Sequence, residues 1–89
     1  MKLKLGALIC VRWIDSLGCP RGWESIDEAR STECAIIESI GWVVAHDKKA
    51  VQLAPHVSSV GGKKGGVMGH MTIPLVCVLT FSLVCLSPA

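Results

Sequence analysis

The sequence predicts a mainly β fold in which five short strands surround one small core. Apolar and polar residues alternate or β-branched residues cluster in several segments, glycines and prolines separate these segments, and only one short stretch carries helix signals. The chain has 89 residues, the length of one small domain covering residues 1–89. With 51% hydrophobic and 18% charged residues, its composition excludes intrinsic disorder. Five strands around one core predict a strongly bent sheet or a small open barrel of the SH3- or Sm-like kind.

The first two predicted strands are residues 7–14 and residues 36–45. In the first, alternate residues are apolar and Arg12 lies on the opposite face, as expected for a half-buried strand. The second is rich in β-branched residues and contains Gly41, which indicates a bulge or the close approach of another backbone segment. Each strand contains one tryptophan that we expect in the core: Trp13 and Trp42.

One short helix is predicted between these two strands, after a loop rich in glycine and proline. Ser25 and Glu28 fit a capping box, with Ser25 as the N-cap and Glu28 at the third helical position. The helix is expected to extend to about Thr32, which makes two turns at most.

The second half of the chain is predicted to supply three further strands. The strand over residues 50–54 follows a polar interval of hairpin length. Two apolar runs, residues 67–73 and 75–86, are separated by Pro74, because proline lacks a backbone donor and stands at strand ends or bends. Residues 61–66, with the sequence GGKKGG, are expected to form a mobile loop, since they have high backbone entropy and nothing to bury.

Charge is distributed very unevenly along the chain. All seven acidic residues lie between positions 15 and 47, and residues 65–89 contain no charged residue. Such a tail is buried, paired with another chain, or in lipid. Both faces of the run 75–86 are mostly apolar, as in a strand covered on both sides, and a monomer this small has little material to cover both. We therefore expect a homo-oligomer that assembles through the apolar C-terminal strands.

A membrane segment is the alternative interpretation of this tail. Residues 73–86 form an uncharged run of 14 residues, whereas a helix that spans a bilayer needs about 20 apolar residues. The several valines of the run also favour a strand over a helix. A strand is therefore the preferred interpretation, and a small protein anchored by a C-terminal membrane segment stays as its alternative.

The sequence contains no recognisable catalytic or metal-binding motif. The three histidines and five cysteines lack the close ligand pairs that structural metal sites use, so we predict no metal and no cofactor. An odd number of cysteines without C-x-x-C is a poor disulfide framework and indicates buried, reduced thiols in a cytosolic protein. Cys19, close to Arg21, is the cysteine most expected at the surface, and a small thiol enzyme is the alternative to a protein without enzymatic activity.

Four residues are candidates for contacting a ligand or a partner: Arg21, Trp23, Lys63 and Lys64. Arg21 and Trp23 stand in the loop before the helix, and arginine and tryptophan are enriched among the residues that anchor interfaces. The two lysines belong to the GGKKGG segment, where they could contact a phosphate or an acidic surface.

Several short segments stand out by their order along the chain. They are VRWIDS (11–16), GWE (22–24), EA (28–29), SIGWVV (39–44), VQLAPH (51–56) and MTIP (71–74). Together they resemble a group of short proteins encoded by tailed bacteriophages and prophages, and the resemblance covers roughly residues 11–74. It implies a phage accessory protein that acts in the bacterial cytoplasm by binding a host protein, a defence component or a small anionic ligand such as a nucleotide.

The sequence thus predicts a non-enzymatic binding protein that forms homo-oligomers. The main alternative is a small-barrel protein that binds nucleic acid, since barrels of this class commonly carry such sites. A net charge of +2 supplies little electrostatic attraction for that purpose.

Overall fold

The computed structural model describes residues 3–17 and 22–85, and within them the chain is mainly β. Seven strands form two antiparallel sheets, accompanied by one short helix and one 3₁₀ turn. In chain order the elements are β1 (Leu8–Asp15), α1 (Ile26–Arg30), β2 (Ala35–His46), β3 (Ala50–Ala54), β4 (His56–Val60), β5 (Lys63–Met68), β6 (Met71–Pro74), the 3₁₀ turn (Leu75–Cys77) and β7 (Val78–Leu83).

Five of the strands form one sheet with the order β6-β3-β2-β1-β7, which we call the body. The other two, β4 and β5, pair only with each other within the described residues. The mainly β prediction is confirmed. The prediction of five strands is wrong, because it lacks the β4–β5 hairpin.

Strand β2 bends strongly along its length. At one edge of the body, Pro74 lies level with the C-terminal end of β2, whereas at the other edge Val78 lies level with Ile37 near its N-terminal end. These levels are about nine residues apart on β2, which is roughly 30 Å in a straight strand. Only the 3₁₀ turn separates Pro74 from Val78, and a linker of that length spans at most about 14 Å. The two ends of the sheet are therefore folded towards each other, and its edge strands are not hydrogen bonded to one another.

Gly41 lies between these two levels of β2. A Cβ atom at this position would lie 3.0 Å from the carbonyl oxygen of Ala54 and 3.2 Å from its nitrogen. These distances are shorter than normal contacts, so the β3 backbone approaches closely because residue 41 has no side chain. The predicted close approach at Gly41 is confirmed.

The core lies on the concave side of the bent sheet. It consists of six buried aliphatic side chains from four strands: Ile9, Val11, Val43, Val51, Leu53 and Ile73. Partly buried side chains complete it, among them Trp13 and Phe81. The alternation predicted for β1 is confirmed, since Ile9 and Val11 are buried and Arg12 is exposed. Each fully buried aliphatic side chain contributes about 1.5–3 kcal/mol.

Helix α1 begins where the capping box predicts. The Glu28 backbone N–H donates a hydrogen bond to Ser25 Oγ at 3.1 Å, and Ser25 has the extended conformation of an N-cap. The helix ends at Arg30, two residues before the predicted end, and none of its residues is buried.

Strands β4 and β5 form a hairpin that we call the arm (residues 56–68). Gly61 and Gly62 form its turn with φ values of +60° and +79°, a conformation that glycine adopts without strain. The mobile loop predicted for residues 61–66 is therefore wrong, because two glycines suffice for the turn and Lys63 onwards pairs with β4. The Cα radius of gyration is 16.9 Å, against about 12 Å for a compact chain of this length. The molecule is therefore extended, and the arm, in which every strand residue except Val57 is exposed, projects from the body.

The uncharged tail contains more elements than the two predicted strands. Residues 67–73 divide between β5 and β6, because Gly69 with a φ of +74° turns the chain between them. The corner predicted at Pro74 is confirmed, and the 3₁₀ turn follows it before β7. Strand β7 is an edge strand. Thr80 and Ser82 on its outer face are exposed, and Leu83, which pairs with Ile9 on the inner face, is 67% exposed, so within the described part of one copy neither face of β7 is fully covered.

Two further expectations can be compared with the described residues. No helix among them has the length and apolar character that crossing a membrane requires. The described cysteines are free thiols, but Cys10 and Cys77 are half-buried and Cys34 and Cys85 are exposed. The expectation of buried thiols is therefore wrong for these four, and Cys19 lies outside the described residues.

Candidate functional site

A groove of about 480 Å³ lies where the arm meets the body, and we call it the arm groove. Its lining comes from the N-terminal segment, β2, β4 and β5. The side chains that give it its chemistry are Leu5, Trp42, Val44, Val57, Ser59 and Lys64.

Backbone hydrogen bonds hold the body side of this groove. The Gly6 N–H donates to the Val43 carbonyl at 2.8 Å, and the Val43 N–H donates to the Ala7 carbonyl at 2.9 Å. These bonds attach the N-terminal segment to β2 and place Leu5, which is 67% exposed, at the groove. Val43 itself is buried in the core, so this wall is continuous with the folded body.

Trp42 and Val44 form the floor of the groove, and both are half-buried. The pairing of β2 with β3 shifts between Val43 and Ala45, so Val44 is an additional residue at a bulge. The expectation of Trp42 in the core is therefore wrong. Its side chain lies where the body meets the arm, because the neighbouring Val43 takes the core position on this strand.

The arm side of the groove carries its polar groups. Ser59 on β4 pairs directly with Lys64 on β5, which places their side chains on one face with Cβ atoms about 5 Å apart. Lys64 is the one ionisable residue of the groove lining in the described part of the chain. Lys63 is next to it on the strand and points to the opposite face, since successive side chains in a strand alternate.

The structure separates the four residues predicted to bind a ligand or a partner. Lys64 lines the arm groove, whereas Lys63 follows the arm turn on the other face. Trp23 is fully exposed before α1 and does not line the groove. Arg21 lies outside the described residues. The groove therefore combines Lys64 with Trp42, a pair that the sequence did not indicate.

The free edge of β7 is a second surface with exposed apolar residues. The Val84 N–H donates to the Leu8 carbonyl at 3.0 Å, and Ser82 pairs with Cys10 in the same register. In an antiparallel ladder the intervening residues direct their backbone groups away from the partner strand. Phe81 and Leu83 therefore present N–H and C=O groups at the edge of the body.

The titratable groups of the described residues form no metal site, and one of them, Asp47, stabilises a turn. Within residues 3–17 and 22–85, no three His, Cys, Asp or Glu side chains are grouped closely enough to hold a metal ion. The pKa of Asp47 is lowered because its carboxylate accepts hydrogen bonds from the backbone N–H groups of Lys49 and Ala50, at 2.7 and 2.9 Å. Asp47 thereby stabilises the turn between β2 and β3, a structural role.

Comparison with protein-family models, with curated proteins and with solved structures finds no match to this chain.

Proposed function

We propose that this protein is a non-enzymatic binding protein that contacts a protein partner through the arm and holds a small ligand in the arm groove. The observation that supports this most strongly is the projecting arm itself. Val60 is 82% exposed and Met68 66% exposed, so the arm carries apolar side chains that the chain does not cover. A two-stranded hairpin is at best marginally stable alone in water, and exposed apolar surface of this kind marks interaction sites.

We assign the body to the small open barrels of the SH3- or Sm-like kind. The supporting features are five antiparallel strands in one bent sheet, one core on its concave side, and a 3₁₀ turn that joins the two edge strands. Barrels of this class carry binding sites on their loops and exposed strands, and the arm is an extension between β3 and β6.

Self-association through β7 is part of the proposal. The strand belongs to a tail without charged residues, so antiparallel pairing of two β7 edges brings no like charges together. Such pairing also covers Leu83 and the outward backbone groups of Phe81. A homo-oligomer is therefore the expected form in solution.

Light scattering after size-exclusion chromatography tests the self-association. A mass of at least twice 9.5 kDa is expected at micromolar concentration. Leu83→Lys should give the monomer, because a charge on an edge strand opposes pairing. Val60→Lys also introduces a lysine at an exposed apolar position, but on the arm. It is the matched control and should keep the oligomer. A monomeric wild type overturns this part of the proposal.

The biological setting follows from the resemblance to short phage and prophage proteins. We propose a phage accessory protein that acts in the cytoplasm of the bacterial host, where its partner is a host protein or a defence component. A variant in which an Asn-Gly turn replaces residues 55–69 tests this proposal. When each protein is immobilised as bait in bacterial lysate, the wild type should retain a bacterial protein that the variant without the arm does not retain. That bacterial protein, once purified, should bind the wild type and not the variant. Equal retention by both baits contradicts the proposal.

Binding of single-stranded nucleic acid is the second candidate function. It is favoured by Trp42 and Lys64 in one groove, because single-strand sites combine an aromatic stacking surface with positive charge. Binding of a short oligonucleotide should then weaken markedly between about 50 and 200 mM salt, since phosphate contacts release counterions. Affinity that does not change with salt excludes this function.

A further inference from the structure

We propose that the arm groove binds a small aromatic anion, with the aromatic ring against Trp42 and the anionic group beside Lys64 and Ser59. This inference rests on the proposed function, because it names the ligand class of the same groove. The small ligand is distinct from the protein partner, which contacts the exposed apolar residues of the arm, such as Val60 and Met68.

The shape and size of the groove suit a small molecule. Its volume of about 480 Å³ lies within the range of about 300–1,000 Å³ that is typical of small-molecule sites. Such sites are mostly apolar and contain a few polar groups that orient the ligand. The arm groove has this composition, with apolar side chains from β2 and β4 and with Ser59 and Lys64 at one side.

The charge of the groove lining favours an anion. All seven acidic residues of the chain belong to the described part, and none lines the groove. Among the described residues that line the groove, the Lys64 ammonium group therefore carries the one formal charge. A ligand that supplies a negative charge gains a charge-assisted hydrogen bond there, and the Ser59 hydroxyl on the paired position can donate a second one.

The apolar wall of the groove favours a flat ring. Trp42 offers the largest flat surface in the groove, and Val44 and Val57 border it. Flat ring systems pack against an indole with favourable stacking geometry, which branched aliphatic groups do not provide. An aromatic ring that carries a carboxylate, sulfonate or phosphate thus matches both sides of the groove.

Lys63 provides a matched control for the role of Lys64. The two residues are adjacent, both are exposed, and neutralising either one changes the net charge of the chain by one. Only Lys64 lines the groove. A difference in ligand affinity between the two variants is therefore caused by the position of Lys64 in the groove and not by the change in net charge.

The test uses the full chain and the fluorescent probe 8-anilinonaphthalene-1-sulfonate, an aromatic anion. Wild type should bind it with increased fluorescence, and Lys64→Ala should weaken the affinity by about fivefold, the size of one exposed ion pair. Lys63→Ala should leave the affinity within about twofold of wild type. The neutral analogue N-phenyl-1-naphthylamine should bind wild type more weakly and respond equally little to both substitutions.

Equal effects of the two lysine substitutions, or equal affinity for the charged and neutral probes, would overturn the inference. Adenosine monophosphate should displace the sulfonate probe at a concentration where adenosine has no effect. This result supports the inference and identifies nucleotides as ligands. Equal displacement by the two compounds contradicts the inference. The bait experiment with the arm deletion is independent of these results. A further outcome is that a bacterial protein is retained only by the bait with the arm while the two lysine variants bind the probe alike. In that case the assignment of an aromatic anion to the groove is wrong, and the proposed binding function of the arm is supported.

Discussion

The body and the arm are built from similar strands, yet only the body has a core. Its strands place Ile9, Val11, Val51 and Ile73 in positions that are 0–1% exposed. The arm is also a regular antiparallel hairpin, but all six residues of β5 are exposed. Backbone pairing alone therefore forms a ribbon, and a folded domain additionally requires an apolar face that another layer covers.

The difference follows from side chains at corresponding positions. In β1 and β3, aliphatic residues alternate with others and point to one side of the sheet. In β5, Gly65 and Gly66 occupy two of six positions and contribute no side chain to bury. The arm thus keeps its apolar residues at its ends, where they are available to a partner.

A valine-to-alanine substitution should lower the free energy of unfolding much more in the body than in the arm. Val11→Ala should lower the free energy of unfolding by about 2–3 kcal/mol, because Val11 is fully buried and the change leaves a cavity. Val60→Ala on the arm should change it by less than about 0.5 kcal/mol, since that side chain is exposed. Urea unfolding followed by circular dichroism measures both, and similar losses would show that the arm contributes to the core.

Glycines within strands provide the next comparison. Gly41→Ala should cost about 1–3 kcal/mol, because the added Cβ meets the Ala54 backbone, which cannot move without disturbing β3. Gly65→Ala should be neutral or should stabilise by up to about 1 kcal/mol, since nothing lies within 4 Å of the added atom and the unfolded chain loses entropy. Thermal unfolding of both variants checks this prediction, and a destabilised Gly65→Ala protein would contradict it.

Removal of the arm should have a smaller effect on stability. Leu53 pairs with Met71, so Ala54 lies opposite His70, and an Asn-Gly turn can join β3 to β6 once residues 55–69 are removed. The shortened chain should keep its β spectrum and lose no more than about 1 kcal/mol, because the arm contributes no side chain to the buried cluster. An unfolded product would show that the arm supports the body.

The smallest expected effect concerns the turns of the two hairpins. The folded pKa of Asp47 is lowered by hydrogen bonds from Lys49 and Ala50, so its contribution to stability is present above the ordinary aspartate pKa. That contribution is lost as the pH falls through the pKa that Asp47 has in the folded protein. Asp47→Asn removes the titration but keeps an acceptor oxygen.

The wild type should therefore lose stability more steeply than Asp47→Asn as the pH falls below about 4. Urea unfolding at several acidic pH values measures the difference between the two proteins, with pH 7 as the reference. Parallel curves would show that the Asp47 hydrogen bonds do not persist in solution. The arm turn has no corresponding dependence, since Gly61 and Gly62 form it without a side chain.

Local patterns predicted most of the body. The alternation in β1, the Ser25 cap and the corner at Pro74 depend on neighbouring residues only, and the structure confirms all three. The composition of GGKKGG predicts a loop and not the arm, whereas two glycines with positive φ form a tight hairpin turn. That turn also pairs Ser59 with Lys64.

The sequence alone determined that this protein is mainly β, where its first strands lie and which part of the chain is uncharged, because these properties depend on residue types and short spacings. Only the tertiary structure decided that Trp42 leaves the core and meets Lys64 in a groove. These two residues are brought together by the bend of β2 and the projection of the arm. The sequence indicates a close approach at Gly41, but only the contact between distant segments identifies the Ala54 backbone as its partner, because no local pattern specifies which strand packs against it.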